Sequence, residues 1–281
     1  MNRGHTRPRR TRGLLLAAAV LLTGLLVVPS PDASAGRPVE PTDRPTIVLV
    51  HGAWADGSSW SGVVRGLQHD GYRTVAFANP LRSLSGDAAY LRQYLATVPG
   101  PVVLVGHSYG AAVISDAATG NAEVRGLVFV NGSLPDRGET VAAQAGPDSA
   151  LSVPDPTTIF DFVPGTLPPG PDADVYLKRS TFLTSFATGL SPAEAEASAA
   201  LQRPITLGAL NEPAASPAWH SIRSWYLIGT QDRVIPASAQ TRMAQRAGST
   251  VSTFAAGHLG LVTDPHAVVR VIERAVRSTT H

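Results

Sequence analysis

Apolar residues occur along the chain in short runs, and stretches with helical periodicity follow most of them. Short apolar runs are typical of strands buried on both faces of a parallel sheet, and intervening helices are typical of βαβ units. The pattern predicts strands at 46–50, 73–77, 102–105, 126–130, 224–228 and 250–254, and helices near 59–70, 86–98, 108–120, 237–247 and 265–277. We therefore expect an α/β fold whose mostly parallel sheet has about six strands, with helices on both faces.

The segment between the strand ending at Val130 and the strand beginning at Ser224 is far longer than a crossover helix requires. We expect residues 135–222 to form a cap over the C-terminal edge of the sheet, where ligands bind in open α/β folds. Helices are predicted in it at 172–187 and 191–201. Apolar cap residues either line a substrate pocket or simply hold the cap to the body; they are Phe160, Phe162, Phe182, Phe186 and Trp219.

The first 35 residues have the layout of a secretory signal. Five arginines precede an apolar run from Leu14 to Val28, and the small residues Ala33-Ser34-Ala35 follow it. The run is shorter than the roughly 20 residues that cross a bilayer. We expect cleavage after Ala35 and a secreted or extracytoplasmic protein, with an uncleaved membrane anchor as the alternative. The export route, Sec or twin-arginine, stays open.

Removing this segment changes the sign of the net charge. It holds five of the 23 basic residues and one of the 21 acidic ones, so 18 basic and 20 acidic residues remain, a charge of −2. We therefore expect no nucleic-acid partner, and no membrane partner after cleavage. The absence of cysteine excludes disulfides, thiolate metal sites and a cysteine nucleophile. Residues 36–45, which contain three prolines, are expected to form an extended lead-in to a domain spanning 46–281.

The strongest chemical signal is the sequence Gly106-His107-Ser108-Tyr109-Gly110, which follows an apolar strand and precedes a helix. In that context Gly-x-Ser-x-Gly is typical of a nucleophile elbow, a strained turn that exposes the serine hydroxyl. Small residues two positions before and after the serine let strand and helix approach closely. The alternative is a structural serine in an ordinary turn.

A serine nucleophile needs a base, and His258 is the best placed of the eight histidines. It lies in a glycine-flanked loop between the last strand and the last helix, where this kind of fold supplies its base. Asp232, directly after a strand, is the expected acid that orients the imidazole. Asp136, after the preceding strand, is the alternative acid, and a capping role for Asp232 is the structural alternative.

Acyl transfer also needs donors for the oxyanion of the tetrahedral intermediate. The backbone N–H groups of Ala53 and Tyr109 are expected to supply them, Ala53 from the loop after the first strand and Tyr109 from the position after the nucleophile. Trp54 is expected to pack, with a substrate contact as a further role. No cofactor or metal is needed for this chemistry.

Taken together, several motifs resemble those of the α/β-hydrolase superfamily over roughly residues 46–278. They are His51-Gly-Ala-Trp-Ala-Asp-Gly-Ser-Ser-Trp60, Asn79-Pro-Leu81, Gly106–Gly110, Gly229-Thr-Gln-Asp-Arg233 and Ala256-Gly-His258. More narrowly, they resemble the bacterial relatives of plant methylesterases and hydroxynitrile lyases. The resemblance implies a Ser108, Asp232 and His258 triad with Ala53 and Tyr109 as oxyanion donors.

Two positions depart from that group. Ala111 stands where relatives often carry a third glycine, which removes no catalytic atom. Leu259 stands where the hydroxynitrile lyases have a lysine after the catalytic histidine, and the chain's single lysine, Lys178, lies in the cap. Cyanohydrin cleavage is therefore disfavoured.

The sequence thus predicts an exported serine hydrolase that cleaves a small, largely apolar carboxylic ester through an acyl-enzyme. Perhydrolysis, amide or lactone cleavage and acyl transfer use the same triad and stay open. A non-enzymatic alternative is a hydrolase fold that binds a small ligand without turnover. The exact substrate and the oligomeric state stay open.

Overall fold

A computed structural model describes residues 44–279 of the chain. The predicted signal peptide, residues 1–35, lies outside the described residues, as does the predicted lead-in apart from Arg44 and Pro45. No helix in the described part of the chain is long and apolar enough to cross a membrane.

Two sheets organise this part of the chain. Its strands are β1 (Thr46–Val50), β2 (Thr74–Phe77), β3 (Val102–His107), β4 (Val124–Val130), β5 (Phe160–Val163), β6 (Asp174–Leu177), β7 (Ile205–Thr206), β8 (Ser224–Gly229) and β9 (Thr250–Phe254). The larger sheet has the order β2-β1-β3-β4-β8-β9, and every neighbouring pair in it is parallel. The prediction of a parallel sheet of about six strands is confirmed, and each predicted strand is present.

Helices cover both faces of the larger sheet. They are α1 (Ser61–His69), α2 (Leu84–Leu95), α3 (Tyr109–Ala118), α4 (Val141–Gln144), α5 (Arg179–Thr181), α6 (Pro192–Ala200), α7 (Leu207–Asn211), α8 (Ala237–Arg246), α9 (Gly260–Thr263) and α10 (Pro265–Arg277). Every residue of β1 and β8 is buried. Because successive side chains of a strand point to opposite faces, both faces must be covered. The C-terminal edge of the sheet is left for the cap and the loops.

The cap segment, residues 135–222, differs from the sequence prediction at one element. A helix was expected over 172–187, but residues Asp174–Leu177 form β6, which pairs in antiparallel register with β5 and β7. Val175 and Leu177 are buried while Asp174 and Tyr176 are partly exposed, a period of two that favours a strand. A π-helical turn at Phe182–Phe186 follows, and the predicted helix over 191–201 is confirmed as α6.

Polar contacts hold the cap segment against the loops that follow β1 and β2. The indole N–H of Trp54 donates to the carbonyl oxygen of Val175 at 2.9 Å. Arg82 pairs with Asp174 at 2.5 Å, and the backbone N–H of Thr206 donates to Leu81 at 3.1 Å. The small antiparallel sheet therefore lies over the C-terminal ends of the parallel strands.

Candidate active site

Ser108 occupies a sharp turn between β3 and α3. Its φ of 52° and ψ of −125° lie in a region that residues with side chains rarely adopt. The turn needs small neighbours, since a Cβ on Gly106 would lie 2.6 Å from the Cα of Ala111. The strained turn thus presents the Ser108 hydroxyl at the N-terminal end of α3, whose unpaired N–H groups favour negative charge.

The loop after β9 brings His258 to this hydroxyl. Its Nε2 lies 3.0 Å from the Oγ of Ser108, and its imidazole is fully buried. The ring of Phe186 lies 5.0 Å from the imidazole, centroid to centroid. Nε2–H of His107 donates to the carbonyl oxygen of His258 at 2.9 Å, which fixes the backbone of the loop.

Asp232 lies behind His258 in the loop after β8. Its Oδ2 accepts a hydrogen bond from Nδ1–H of His258 at 2.9 Å. Because an ionised carboxylate can only accept, the imidazole proton is on Nδ1, and the Nε2 lone pair faces the Ser108 hydroxyl. The structure therefore brings the three residues of the expected triad into one hydrogen-bonded row.

The Asp232 carboxylate is held ionised. Burial raises its pKa, but the neighbouring His258, the N–H of Ile235 and the amide of Asn131 outweigh that effect and lower the pKa below its usual value. Oδ1 accepts from the N–H groups of Val234 at 2.8 Å and Ile235 at 2.9 Å. A charge with this many donors can orient the imidazole without taking its proton.

Two residues that support Asp232 were missed in the sequence. The side-chain amides of Asn131 and Gln240 donate to its Oδ2 at 2.9 Å and 3.0 Å. Asn131 follows β4 directly and has a φ of 46°. A polar residue directly after an apolar strand could have indicated this role in the sequence. Gln240 lies in the first turns of α8, where nothing in the sequence pattern marks it.

The alternative acid, Asp136, lies elsewhere. Its Oδ1 accepts a hydrogen bond from Nε2–H of His220 at 2.8 Å, and that contact lowers the pKa of the carboxyl. Asp232, and not Asp136, is the carboxylate in contact with His258.

The two expected oxyanion donors lie beside Ser108. Ala53 and Tyr109 line the same cavity as the serine. Among the described residues, no acceptor takes a hydrogen bond from either backbone N–H. The Tyr109 side chain is turned away, because its hydroxyl donates to Asp87 at 2.8 Å. Both N–H groups are therefore free to bind a developing negative charge.

His51 and Asn79, from two of the family-like motifs, support the loops around Ala53. The Nε2 of His51 accepts from the N–H of Asn79 at 3.1 Å, so its Nδ1–H donates to Gly52 at 3.0 Å. Burial lowers the pKa of His51 to about 4. This neutral imidazole has a structural role.

A cavity of about 610 Å³ opens over Ser108 beneath the cap segment. Its lining is mostly apolar and comes from the cap segment and the loops after β1, β4 and β8. Apolar residues on its walls include Trp54, Val141, Leu151, Phe160, Phe162, Val175, Leu207, Leu210, Val234 and Ile235. A volume of this size is typical of small-molecule sites, which occupy roughly 300–1,000 Å³.

Five of the proposed pocket residues line two different cavities. Trp54, Phe160 and Phe162 line the cavity, and the rings of Trp54 and Phe160 stack with centroids 5.7 Å apart. Phe182 and Phe186 instead line a smaller cavity of about 120 Å³ on the other side of Trp54. Phe186 nevertheless packs on His258 and shields it from water.

Trp219 does not belong to either cavity. Its ring stacks on His220 with centroids 3.9 Å apart, and the guanidinium of Arg246 lies over it. Trp219 therefore does not line the large cavity but takes the alternative role, since its ring holds the exit of the cap segment to α8.

Comparisons with known proteins agree with this architecture. The model of the alpha/beta hydrolase family matches residues 47–271. An alpha/beta hydrolase of Aspergillus novofumigatus, nvfD, is 27% identical over 265 residues, which cover 83% of this chain and 96% of that protein. A carbendazim hydrolyzing esterase of a Nocardioides species is 33% identical over 109 residues, which cover 34% of this chain and 45% of that enzyme.

Solved structures share the fold. An extracellular alpha/beta-hydrolase from a Paenibacillus species has a TM-score of 0.71 at 21% identity, and the match covers 83% of this chain and 99% of that one. A methylesterase from Arabidopsis has a TM-score of 0.68 at 16% identity, with 83% and 99% covered. The resemblance to the α/β-hydrolase superfamily that the motifs indicated is confirmed, and the fold is shared with a plant methylesterase.

Proposed function

The chain belongs to the alpha/beta hydrolase family, and we propose that it is an exported serine hydrolase that cleaves carboxylic esters through an acyl-enzyme on Ser108. One observation carries the proposal. Ser108, His258 and Asp232 form a continuous row of hydrogen bonds on the floor of an apolar cavity, with distances of 3.0 Å and 2.9 Å. The similarity to a protein named carbendazim hydrolyzing esterase supports the class of reaction.

In the first step His258 acts as the base. Its Nε2 takes the proton of the Ser108 hydroxyl as Oγ attacks the ester carbonyl carbon. The resulting imidazolium is stabilised by the Asp232 carboxylate, which keeps its own charge. His258 then returns the proton to the leaving alcohol, and the acyl group stays on Ser108.

The oxyanion that forms in this step would be bound by the free N–H groups of Ala53 and Tyr109. Removing one such donor typically lowers the rate by about 10²- to 10³-fold. In the second step the same imidazole activates water, which attacks the acyl-enzyme and releases the acid. No cofactor is required for either step.

The cavity favours an ester with a sizeable apolar part. Its walls are formed mostly by aliphatic and aromatic side chains, and the charged residues of the cap lie outside it. Lys178, for example, pairs with Asp161 on the surface. Leu259 follows the base in place of a lysine and is buried, so no ammonium group stands beside the imidazole.

Turnover of p-nitrophenyl esters by the wild type and by Ser108→Ala tests the proposal. We expect the substitution to lower kcat by on the order of 10⁴-fold or more, with an unchanged circular dichroism spectrum. Adding hydrogen peroxide, an amine or an alcohol as a competing nucleophile separates hydrolysis from perhydrolysis and acyl transfer. A folded wild type that cleaves no ester and binds one tightly would instead support a ligand-binding protein.

Export is the second part of the proposal and depends on residues 1–35 alone. When the full chain is expressed in a bacterial host, N-terminal sequencing of the extracytoplasmic protein should begin at Gly36. Recovery of an uncleaved chain from the membrane fraction would contradict it.

A further inference from the structure

Ser133 lies beside the candidate nucleophile without a part in the triad. It is three residues beyond the end of β4, and its backbone N–H donates to the carbonyl oxygen of Ser108 at 3.0 Å. Its side chain lines the large cavity, yet only 1% of the residue is exposed. The short backbone contact fixes Ser133 next to the place where an ester would react.

The hydroxyl of Ser133 has no hydrogen-bond partner. A buried hydroxyl without a partner is costly, and each such group in a native protein calls for an explanation. The other buried side-chain atoms in the described residues that lack a partner, such as Nε1 of Trp60 and Nδ1 of His107, do not line this cavity.

The remaining polar side chains of the cavity wall have other partners or face solvent. The hydroxyls of Tyr109 and Ser149 donate to Asp87 and to the carbonyl of Val234, at 2.8 Å and 2.7 Å. The Trp54 indole donates to Val175, while Ser152 and Asn211 are exposed. Apart from Ser108, the described wall therefore offers a bound molecule one buried, unused hydroxyl.

We propose that Ser133 is a specificity-determining residue whose hydroxyl donates a hydrogen bond to an oxygen of the substrate close to the reacting ester. The substrate class is an apolar ester with a second acceptor, an ether, carbonyl or hydroxyl oxygen, a few bonds from the ester group. A substrate without that oxygen leaves the hydroxyl unpaired and is disfavoured. The inference rests on the proposed function, because it assigns selectivity to the same site.

Two pairs of esters of equal length test it, and the members of each pair differ by one oxygen in place of a methylene. On the acyl side the pair is p-nitrophenyl methoxyacetate and p-nitrophenyl butyrate. On the alcohol side it is 2-methoxyethyl butyrate and butyl butyrate. The ratio of kcat/KM within a pair, compared between wild type and variant, cancels the intrinsic reactivity of the esters.

We expect Ser133→Ala to lower the preference for the oxygen-bearing ester by about 3- to 10-fold in at least one pair, the range of one neutral hydrogen bond. Ser133→Thr and Ser133→Val are a second comparison of nearly equal volume, and Thr should keep a preference that Val loses. Ser115→Ala is the matched control, because Ser115 is equally buried, at 1%, but lies outside the cavity and donates to Ala111.

Calorimetric binding of the same esters to Ser108→Ala, with and without Ser133→Ala, separates selectivity from turnover. If the preference in binding disappears with the Ser133 hydroxyl, the inference is supported. A wild type that cleaves no ester would contradict only the proposed function. Unchanged ratios in both pairs, in turnover and in binding, overturn the inference while leaving Ser108 as nucleophile intact.

Discussion

The buried imidazole of His107 should make the stability of the protein depend on pH. Burial is the main cause that lowers the pKa of His107 from 6.5 to about 3, and repulsion from His258 in its protonated form is the second cause. Its Nε2–H already donates to His258, and its buried Nδ1 has no acceptor nearby for a second proton. The folded protein therefore keeps this imidazole neutral at pH values where the unfolded chain is protonated.

The sign of the effect follows from where the protons bind. Below pH 6.5 His107 is protonated in the unfolded state, but in the folded state it stays neutral down to about pH 3. The free energy of unfolding therefore decreases as the pH falls through that range. Each pH unit corresponds to about 1.4 kcal/mol. From pH 7.5 to 4.5 the free energy of unfolding should therefore fall by about 3 kcal/mol through this residue.

Urea unfolding of the wild type and of His107→Gln at pH 7.5 and 4.5 measures this effect. Glutamine keeps an N–H for the His258 carbonyl but does not titrate, so the loss of stability between the two pH values should shrink by about 3 kcal/mol. The solvent-exposed His69 provides the control, since His69→Gln should leave that loss unchanged. An equal loss in wild type and His107→Gln would refute the reasoning.

Three further predictions concern the candidate site. Asp232→Asn should lower kcat by about 10³- to 10⁴-fold, because an amide no longer fixes the tautomer of His258; steady-state kinetics with a near-normal kcat would contradict this. Gly52→Ala would place a Cβ 2.6 Å from the Cβ of Ser108, so we expect activity to fall at least about tenfold. Full activity in that variant would show that the elbow tolerates the shift. Leu210→Trp should narrow the cavity and reduce kcat/KM for octanoate esters far more than for acetate esters. Equal losses of kcat/KM for both esters would show that Leu210 does not limit the length of the acyl chain.

The parallel sheet and the elbow could be predicted because local sequence determines them. Strands such as β1 and β8 are buried at every position and mostly apolar, as burial on both faces requires. The turn at Ser108 needs small residues at fixed positions, and Gly106 meets Ala111 so closely that the motif reports the geometry directly. Loops after parallel strands converge at one edge, so Asp232 and His258 could be placed near Ser108 by chain order alone.

The cap segment was harder because tertiary pairing decides its structure. The four residues of β6 carry a period of two that is too short to outweigh the surrounding helical pattern. Their strand conformation depends on pairing with Phe160–Val163, which lies beyond a proline-rich stretch. The same dependence left the role of Trp219 open in the sequence, because its position follows from contacts with His220 and Arg246.

The polar residues that support the candidate site could not be predicted from the sequence pattern either. Gln240 lies eight residues after Asp232, inside the next helix, and only the fold brings its amide to the carboxylate. Ser133 stands out because its buried hydroxyl has no hydrogen-bond partner, which only the three-dimensional structure shows. Sequence patterns locate the groups that react, whereas packing determines the groups that orient them.

Labelling of the purified protein with a fluorophosphonate probe tests the central claim most directly, because the probe reacts only with an activated serine. After digestion, mass spectrometry should find the modification on the peptide that contains Ser108, and neither Ser108→Ala nor a denatured wild type should be labelled. Labelling at another serine, or none on folded wild-type protein, would contradict the assignment of Ser108 as the nucleophile.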